Sequence, residues 1–220
     1  MNTGSDVPPE GYKGLPGFIT AGSGNANITF SNNIGATHGL NLITLDGTGT
    51  KTFNGSVTAS TINFSETADD AILSLAPGIT LNGNITTSDP GNGILVFKTT
   101  EVGAAATVNG NIGSLGHALA EVDVNRSLGC LIDGDVTATS FIFTENGGNV
   151  SIAAGHSITT ANPIAVSANS ASTINYLGTT TIGSDLGSAS GNKFAYINFD
   201  GGTVTLGANL YTSAAERLYP

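Results

Sequence analysis

The chain is poor in cysteine, in tryptophan and in positive charge. Of its 220 residues one is cysteine, none is tryptophan, and six are lysine or arginine against sixteen aspartates and glutamates. The single Cys130 excludes a disulfide framework within the chain, and its apolar neighbours predict a small buried side chain. The formal charge of −10 leaves no basic surface that could displace counterions from phosphates, so we expect no nucleic-acid partner.

Long apolar runs and amphipathic helical patterns are also missing. Glycine, threonine or asparagine interrupts each apolar stretch well before transmembrane length, so we expect a chain that does not span a membrane. The first ten residues lack the basic start and apolar stretch of a signal peptide. We interpret residues 1–18, which carry proline and glycine turn signals, as a leader or N-terminal cap, and 19–220 as the repetitive body. A short helical pattern occurs at 213–218.

What the sequence does contain is a repeated phrase with drifting spacing. The four copies read FNGSVT, LNGNIT, VNGNIG and IDGDVT, and their central glycines stand 28, 27 and 24 residues apart. A period in this range is typical of stacked repeat architectures. The polar residue before each glycine suits a left-handed bend and can bond to the coil above. We therefore expect one side-chain column at a corner of the stack, formed by Asn54, Asn82, Asn109 and Asp133.

A second pattern, an apolar pair around one variable residue, recurs in step with the first. Such alternation places the outer two side chains on one face of a strand and the middle one on the other. The seven triplets are 28–30, 62–64, 95–97, 122–124, 141–143, 174–176 and 197–199. Further strands are predicted at 42–45, 72–75, 150–152 and 204–206. Together these patterns predict an all-β, right-handed parallel β-helix (a solenoid) of about seven irregular coils with terminal caps, about 30 Å tall.

The coils are unequal in length, which predicts loops that protrude from a regular stack. Three such loops are 88–93, 114–118 and 184–192. Loops on a rigid scaffold are where binding residues concentrate. The candidate partner-binding residues are Asp89, Asn92, His117, Asp185 and Lys193.

The repeated phrases resemble the passenger region of bacterial autotransporters, in particular the rickettsial outer-membrane protein A and B type surface antigens. The phrases STINYLG at 172–178 and INFDGGTVTL at 197–206 add to this resemblance, which covers roughly residues 24–210. It implies a β-helical passenger displayed at the cell surface, used in virulence for adhesion to a host-cell protein or glycan. It also implies a signal peptide and a C-terminal translocating barrel, so we expect this sequence to be a passenger segment of a longer exported protein. The family offers no catalytic motif, and we expect neither an enzyme nor a bound cofactor.

Two acidic groups have alternative interpretations. Asp133 and Asp135 flank Gly134 and could act as paired carboxylates on a glycosidic bond or a cation. They could equally be acidic variants of the asparagine column, which we favour because Asn109 and Asn111 hold the same places one repeat earlier.

Other charged groups have simpler interpretations. Glu121, Asp123 and Arg126 predict a solvated exterior salt bridge rather than a lyase centre. Asp69 and Asp70, after Glu66, predict a turn, with a weak calcium site as the alternative. The three histidines, His38, His117 and His156, lie far apart without cysteine or glutamate at ligand spacing, which argues against a metal site.

The function that we expect is non-enzymatic display of binding loops. Two alternatives stay open at the level of sequence. One is a β-helical carbohydrate-active protein such as a polysaccharide lyase or a tailspike-like depolymerase. The other is a structural layer or filament subunit that self-associates through its coil ends.

Overall fold

The fold is given by a computed structural model that describes residues 17–22, 24–65, 71–98, 104–125, 129–144, 147–168 and 172–213. Within these ranges every regular element is a β-strand. The nineteen strands are β1 (Phe18–Ala21), β2 (Ile28–Phe30), β3 (Leu40–Leu45), β4 (Thr50–Phe53), β5 (Val57–Phe64), β6 (Ile72–Leu75), β7 (Thr80–Thr87), β8 (Ile94–Phe97), β9 (Ala106–Asn109), β10 (Leu119–Val124), β11 (Cys130–Asp133), β12 (Val136–Phe143), β13 (Asn149–Ile152), β14 (Ile158–Thr160), β15 (Ala165–Val166), β16 (Thr173–Tyr176), β17 (Thr180–Ile182), β18 (Tyr196–Phe199) and β19 (Val204–Leu206).

The strands wind as a right-handed parallel β-helix, which confirms the predicted fold class. Each named strand pair is parallel, and each partner lies one coil away in sequence. The coils have three faces. Face one holds β1, β3, the C-terminal halves of β5 and β7, the N-terminal half of β12, β14, β17 and β19. Face two stacks β2, β4, β6, β8, β10, the rest of β12 and β15, and face three stacks β5, β7, β9, β11, β13, β16 and β18. Seven strands on each of faces two and three give about seven coils, as predicted.

The core is built from columns of like apolar side chains, one from each coil. On face one, Ile43, Ile62, Ile85, Ile112 and Val136 stack in register and are all buried. Burying such a side chain stabilises the fold by about 1.5–3 kcal/mol. The structure therefore confirms the prediction made from the alternation. On each face one row of apolar side chains points inward, and threonine and asparagine lie outside.

The seven apolar triplets, however, do not form one column. Four of them lie on face two, at 28–30, 95–97, 122–124 and 141–143, one lies on face one at 62–64, and two lie on face three at 174–176 and 197–199. All three faces need the same in–out alternation. The triplets therefore identify strands but not the face to which each strand belongs.

The predicted corner column is wrong in one member. Asn82, Asn109 and Asp133 are in register at the corner between faces three and one. Asn109 Nδ2 donates to Asn82 Oδ1 at 2.7 Å. Asn54 lies elsewhere, because Phe53 pairs with Leu75 on face two, so its Asn-Gly bend turns the corner between faces two and three.

Glycine is required at the three-to-one corner because adjacent coils approach very closely there. Gly83 has φ of 143°, and a Cβ at this position would lie 1.8 Å from the carbonyl oxygen of Ala59. A Cβ on Gly110 or Gly134 would meet the carbonyl oxygen of the glycine one coil below, at 2.4 and 2.1 Å. No side chain fits in that space, which is why the three copies of the phrase at this corner keep their glycine.

One charged side chain lies within the core. Lys51 occupies an inward position between Ile28 and Leu73 and has no exposed surface. Its Nζ donates to the carbonyl oxygens of Gly47 and Thr48 at 2.8 and 2.9 Å. Burial lowers the pKa of Lys51, and the nearby Asp46 carboxylate opposes that shift. The lysine thus supplies hydrogen-bond donors for carbonyl groups of a turn that point inward.

The ends of the stack are less buried than its middle. The inward side chains of the first coil, Ile28 and Phe30, and of the last described coil, Ile197 and Phe199, are only half-buried. The proposed cap at 1–18 lies outside the described residues except for Gly17 and Phe18, and Phe18 already begins β1. The helical pattern at 213–218 lies outside them except for its first residue. Cys130 is buried, as predicted.

Candidate functional site

Two of the predicted loops, 88–93 and 114–118, meet on neighbouring coils at the corner between faces one and two. The backbone N–H of Gly91 donates to the carbonyl oxygen of Ala118 at 2.8 Å. The ring Nδ1–H of His117 donates to the carbonyl oxygen of Thr87 at 2.9 Å. We call these two segments the paired-loop surface. The structure thereby brings together three of the five predicted binding residues, Asp89, Asn92 and His117.

The 114–117 segment is a tight turn with a single apolar residue at its tip. Ser114 and His117 exchange two backbone hydrogen bonds, of 2.9 and 3.1 Å. Gly116 has φ of 81°, the left-handed conformation that the third position of a type II turn requires. Leu115 is consequently held out from the turn with 97% of its surface exposed. Sequence reasoning missed Leu115, although an apolar residue before the glycine of a polar turn is the signal that points to it.

The 88–93 segment is held equally firmly. Thr87 Oγ1 donates to the carbonyl oxygen of Asp89 at 2.7 Å, and the Asn92 N–H donates to the same oxygen at 3.2 Å. The carbonyl oxygen of Asn92 accepts from Ala120 N–H in the next coil. Asp89 is exposed and Asn92 is half-buried. The backbone of this loop is therefore anchored both to itself and to the neighbouring coils, while Asp89 is exposed to solvent.

The other two predicted residues lie apart from the paired-loop surface. Asp185 lies at the same corner three coils further along the stack, where its Oδ1 accepts from the backbone N–H and the side-chain Nδ2 of Asn209 at 2.8 and 3.1 Å. Its carboxylate therefore has a structural role in joining two coils. Lys193 lies at the next corner, half-buried beside the core residue Phe194.

A second side-chain column runs along the edge of face one. Asn84 Oδ1 accepts the backbone N–H of Asn111, Asn111 Oδ1 accepts that of Asp135, and Asp135 Oδ1 accepts that of Ser157, each at 2.9 Å. Each side-chain oxygen takes the place of a backbone acceptor where the strand ladder is interrupted. An amide and a carboxylate serve equally here, because only the oxygen is used.

Asp133 and Asp135 therefore continue two columns, as the sequence interpretation favoured. Asp133 follows Asn109 in register, and Asp135 follows Asn111. His156 from the next coil lies between the two carboxylates, with Nε2 at 3.4 Å from Asp133 Oδ1 and Nδ1 at 3.6 Å from Asp135 Oδ1. The two ring nitrogens face different carboxylates, so the three groups do not converge on one point. This cluster links two coils at a corner.

Of the three residues of the predicted exterior salt bridge, the structure describes Glu121 and Asp123. Glu121 and Asp123 point outward from face two, as expected, because Val122 and Val124 point inward. Asp123 is not solvated, however: it is 8% exposed and accepts a hydrogen bond from Thr144 Oγ1 at 2.7 Å. Burial, and then the Asp123 carboxylate, raise the pKa of Glu121. Arg126, like Glu66, Asp69 and Asp70, lies outside the described residues.

The described residues contain no group of three histidine, cysteine, aspartate or glutamate side chains that could hold a metal ion. They also contain no helix of the length and apolar character needed to cross a membrane.

Comparison of the chain with protein-family models, with curated proteins and with solved structures gives no match.

Proposed function

We propose that this chain is a non-enzymatic display protein, the passenger segment of an autotransporter-like surface protein, whose paired-loop surface binds a partner on a host cell. The β-helix supplies a scaffold in which parallel strand pairing joins each coil to the next. The repeated phrases that resemble rickettsial surface antigens support the cell-surface localisation. The partner expected from that resemblance is a host-cell surface protein or glycan.

The observation that carries the proposal is the rigid mounting of Leu115. Two hydrogen bonds close its turn, and two more, from Gly91 and from the His117 ring, fix the paired loops to each other. Because the backbone that carries Leu115 is already ordered, binding at this position costs little loss of loop freedom. A fully exposed leucine contributes nothing to the fold in this position, so a partner that covers it gains the whole of its apolar surface.

Binding of the full chain to cultured host cells tests this proposal. We expect two separate variants each to reduce binding at least about tenfold. One is Leu115→Asp, and the other combines Asp89→Asn with His117→Gln. Leu177→Asp is the matched control, because Leu177 is also exposed but lies away from the paired loops, between face three and face one. Circular dichroism confirms that each variant is folded. Full binding by Leu115→Asp and by the double variant together would refute the assignment of the paired-loop surface.

A second candidate is self-association through the coil ends. It is favoured by Leu206, an inward residue of the last described strand that is 56% exposed because no further described coil covers it. Light scattering against protein concentration tests it. A mass that stays monomeric up to high concentration would dismiss it.

A further inference from the structure

A shallow polar depression lies on face one beside the 114–117 turn. It has a volume of about 250 Å³ and is lined by residues of three successive coils. They are Thr61, Asn84, Ile85, Thr86, Asn111, Gly113 and Ser114. A Cβ on Gly113 would lie 2.0 Å from the carbonyl oxygen of Thr137 in the next coil, so no side chain fits at this position of the lining. We call this feature the face-one depression.

The lining presents hydrogen-bond donors in fixed positions. The Oδ1 atoms of Asn84 and Asn111 are held by the backbone of the coil above, which fixes both amide planes. Their Nδ2 groups, and the hydroxyls of Thr61, Thr86 and Ser114, have no partner among the described residues. The depression therefore offers two amide donors and three hydroxyls that can both donate and accept.

The charge of the surroundings limits what these groups can bind. No lining residue is charged, and Asp135 stands one coil above Asn111 in the same column. The whole chain carries −10. An anionic ligand would meet repulsion here, and a cation would meet no carboxylate within the depression.

We propose that the face-one depression binds one neutral saccharide unit. Sugar hydroxyls donate and accept in equal measure, which matches the threonine and serine hydroxyls, and sugar oxygens accept from the two asparagine Nδ2 groups. The volume is below that of pockets that enclose drug-sized ligands, and it suits one ring rather than a chain. Leu115 directly follows the lining residue Ser114 and is exposed, so it is available for an apolar contact with the C–H face of a sugar. The inference rests on the proposed display function and narrows its partner to a neutral glycan.

The test uses substitutions within the side-chain column of Asn84, Asn111 and Asp135. Asn84→Asp and Asn111→Asp keep the Oδ1 acceptor, as Asp135 shows, and replace each Nδ2 donor with an oxygen. The matched control is the double variant Asn27→Asp with Asn33→Asp. Asn27 and Asn33 use Oδ1 in the same way, accepting from Thr50 and Ser56 N–H at 2.8 Å, and they lie outside the depression. Both double variants add the same charge to the full chain.

The probe is an immobilised panel of neutral oligosaccharides ending in glucose, galactose, mannose or N-acetylglucosamine, with sialylated and sulfated glycans alongside, because multivalent presentation raises a weak single-site affinity. We expect binding to at least one neutral glycan, a loss of at least about tenfold in Asn84→Asp/Asn111→Asp, and wild-type binding in Asn27→Asp/Asn33→Asp. Absence of neutral-glycan binding, equal loss in both double variants, or no loss in the first would each overturn the inference. Cell binding that depends on Leu115 without any glycan binding would overturn it while leaving the proposed function standing.

Discussion

Lys51 shows how a single residue can contradict the pattern around it and still belong to the core. Its position alternates with outward threonines, so it must point inward, where a lysine is normally excluded. The inward carbonyl groups of Gly47 and Thr48 explain its presence, because a buried carbonyl without a donor costs about 1–3 kcal/mol. The sequence alone gives no sign of this, since the turn geometry that aims the carbonyl groups is not written in the alternation.

Replacing Lys51 by methionine should therefore destabilise the protein even though methionine is apolar and of similar length. We expect a loss of about 2 kcal/mol in the free energy of unfolding, measured by urea denaturation, because the gain from removing a buried charge does not offset the unpaired carbonyl groups. Lys98→Met, at an exposed position, is the control and should change stability by less than about 0.5 kcal/mol. A Lys51→Met variant as stable as the wild type would show that removing the buried charge fully offsets the loss of the carbonyl bonds, contrary to this prediction.

Glu121 gives a pH-dependent prediction. Its pKa is raised in the folded protein, so the group contributes most to stability below its unfolded value, near 4.5, and that contribution is lost as pH rises through the folded value. Glutamine mimics the protonated form at every pH. Glu121→Gln should therefore raise the melting temperature at pH 7 and leave it unchanged near pH 4. Equal shifts at both pH values would rule out the titration of Glu121 as the cause.

At the scale of the strand and its corner, the spacing between coils is set by glycine. Gly83→Ala should cost about 3 kcal/mol or more, because the added Cβ would lie 1.8 Å from the Ala59 carbonyl oxygen. Gly183→Ala is the control: a Cβ there meets nothing within 4 Å, and the backbone has no left-handed φ. Thermal unfolding of the two variants measures the difference. If both lose the same stability, the close approach of the coils is not what selects glycine.

The strands and corners show which parts of the structure could be predicted from the sequence. Alternation identified the strands and the solenoid, because a residue pair such as Leu95 and Phe97 can face inward together only on a strand. It could not place Asn54, since Asn-Gly bends at different corners look alike in a window of six residues. For the candidate site, the loops at 88–93 and 114–118 were predicted from the sequence. The contact between them was not, because it depends on the register between coils. Leu115 was missed, although it precedes the glycine of a polar turn, because an isolated leucine is equally typical of a core position.

At the scale of the whole molecule, each coil contacts only its neighbours, so damage should remain local. In hydrogen exchange measured by mass spectrometry, Gly83→Ala should raise the exchange rates of β5, β7 and β9, which adjoin it. The strands β16 and β18, several coils away, should keep wild-type rates. A uniform increase along the chain would indicate a single cooperative unit instead of a stack of coupled coils.

The corner between faces one and two differs in length from coil to coil. β12 rounds it inside one continuous strand, whereas the coil below needs the 114–118 turn and the one below that uses the six residues 88–93. Core columns continue undisturbed past all three arrangements. Foreign peptides grafted at 139–140 should consequently leave the scaffold intact, which makes this edge a natural place to engineer vaccine epitopes or new recognition sequences.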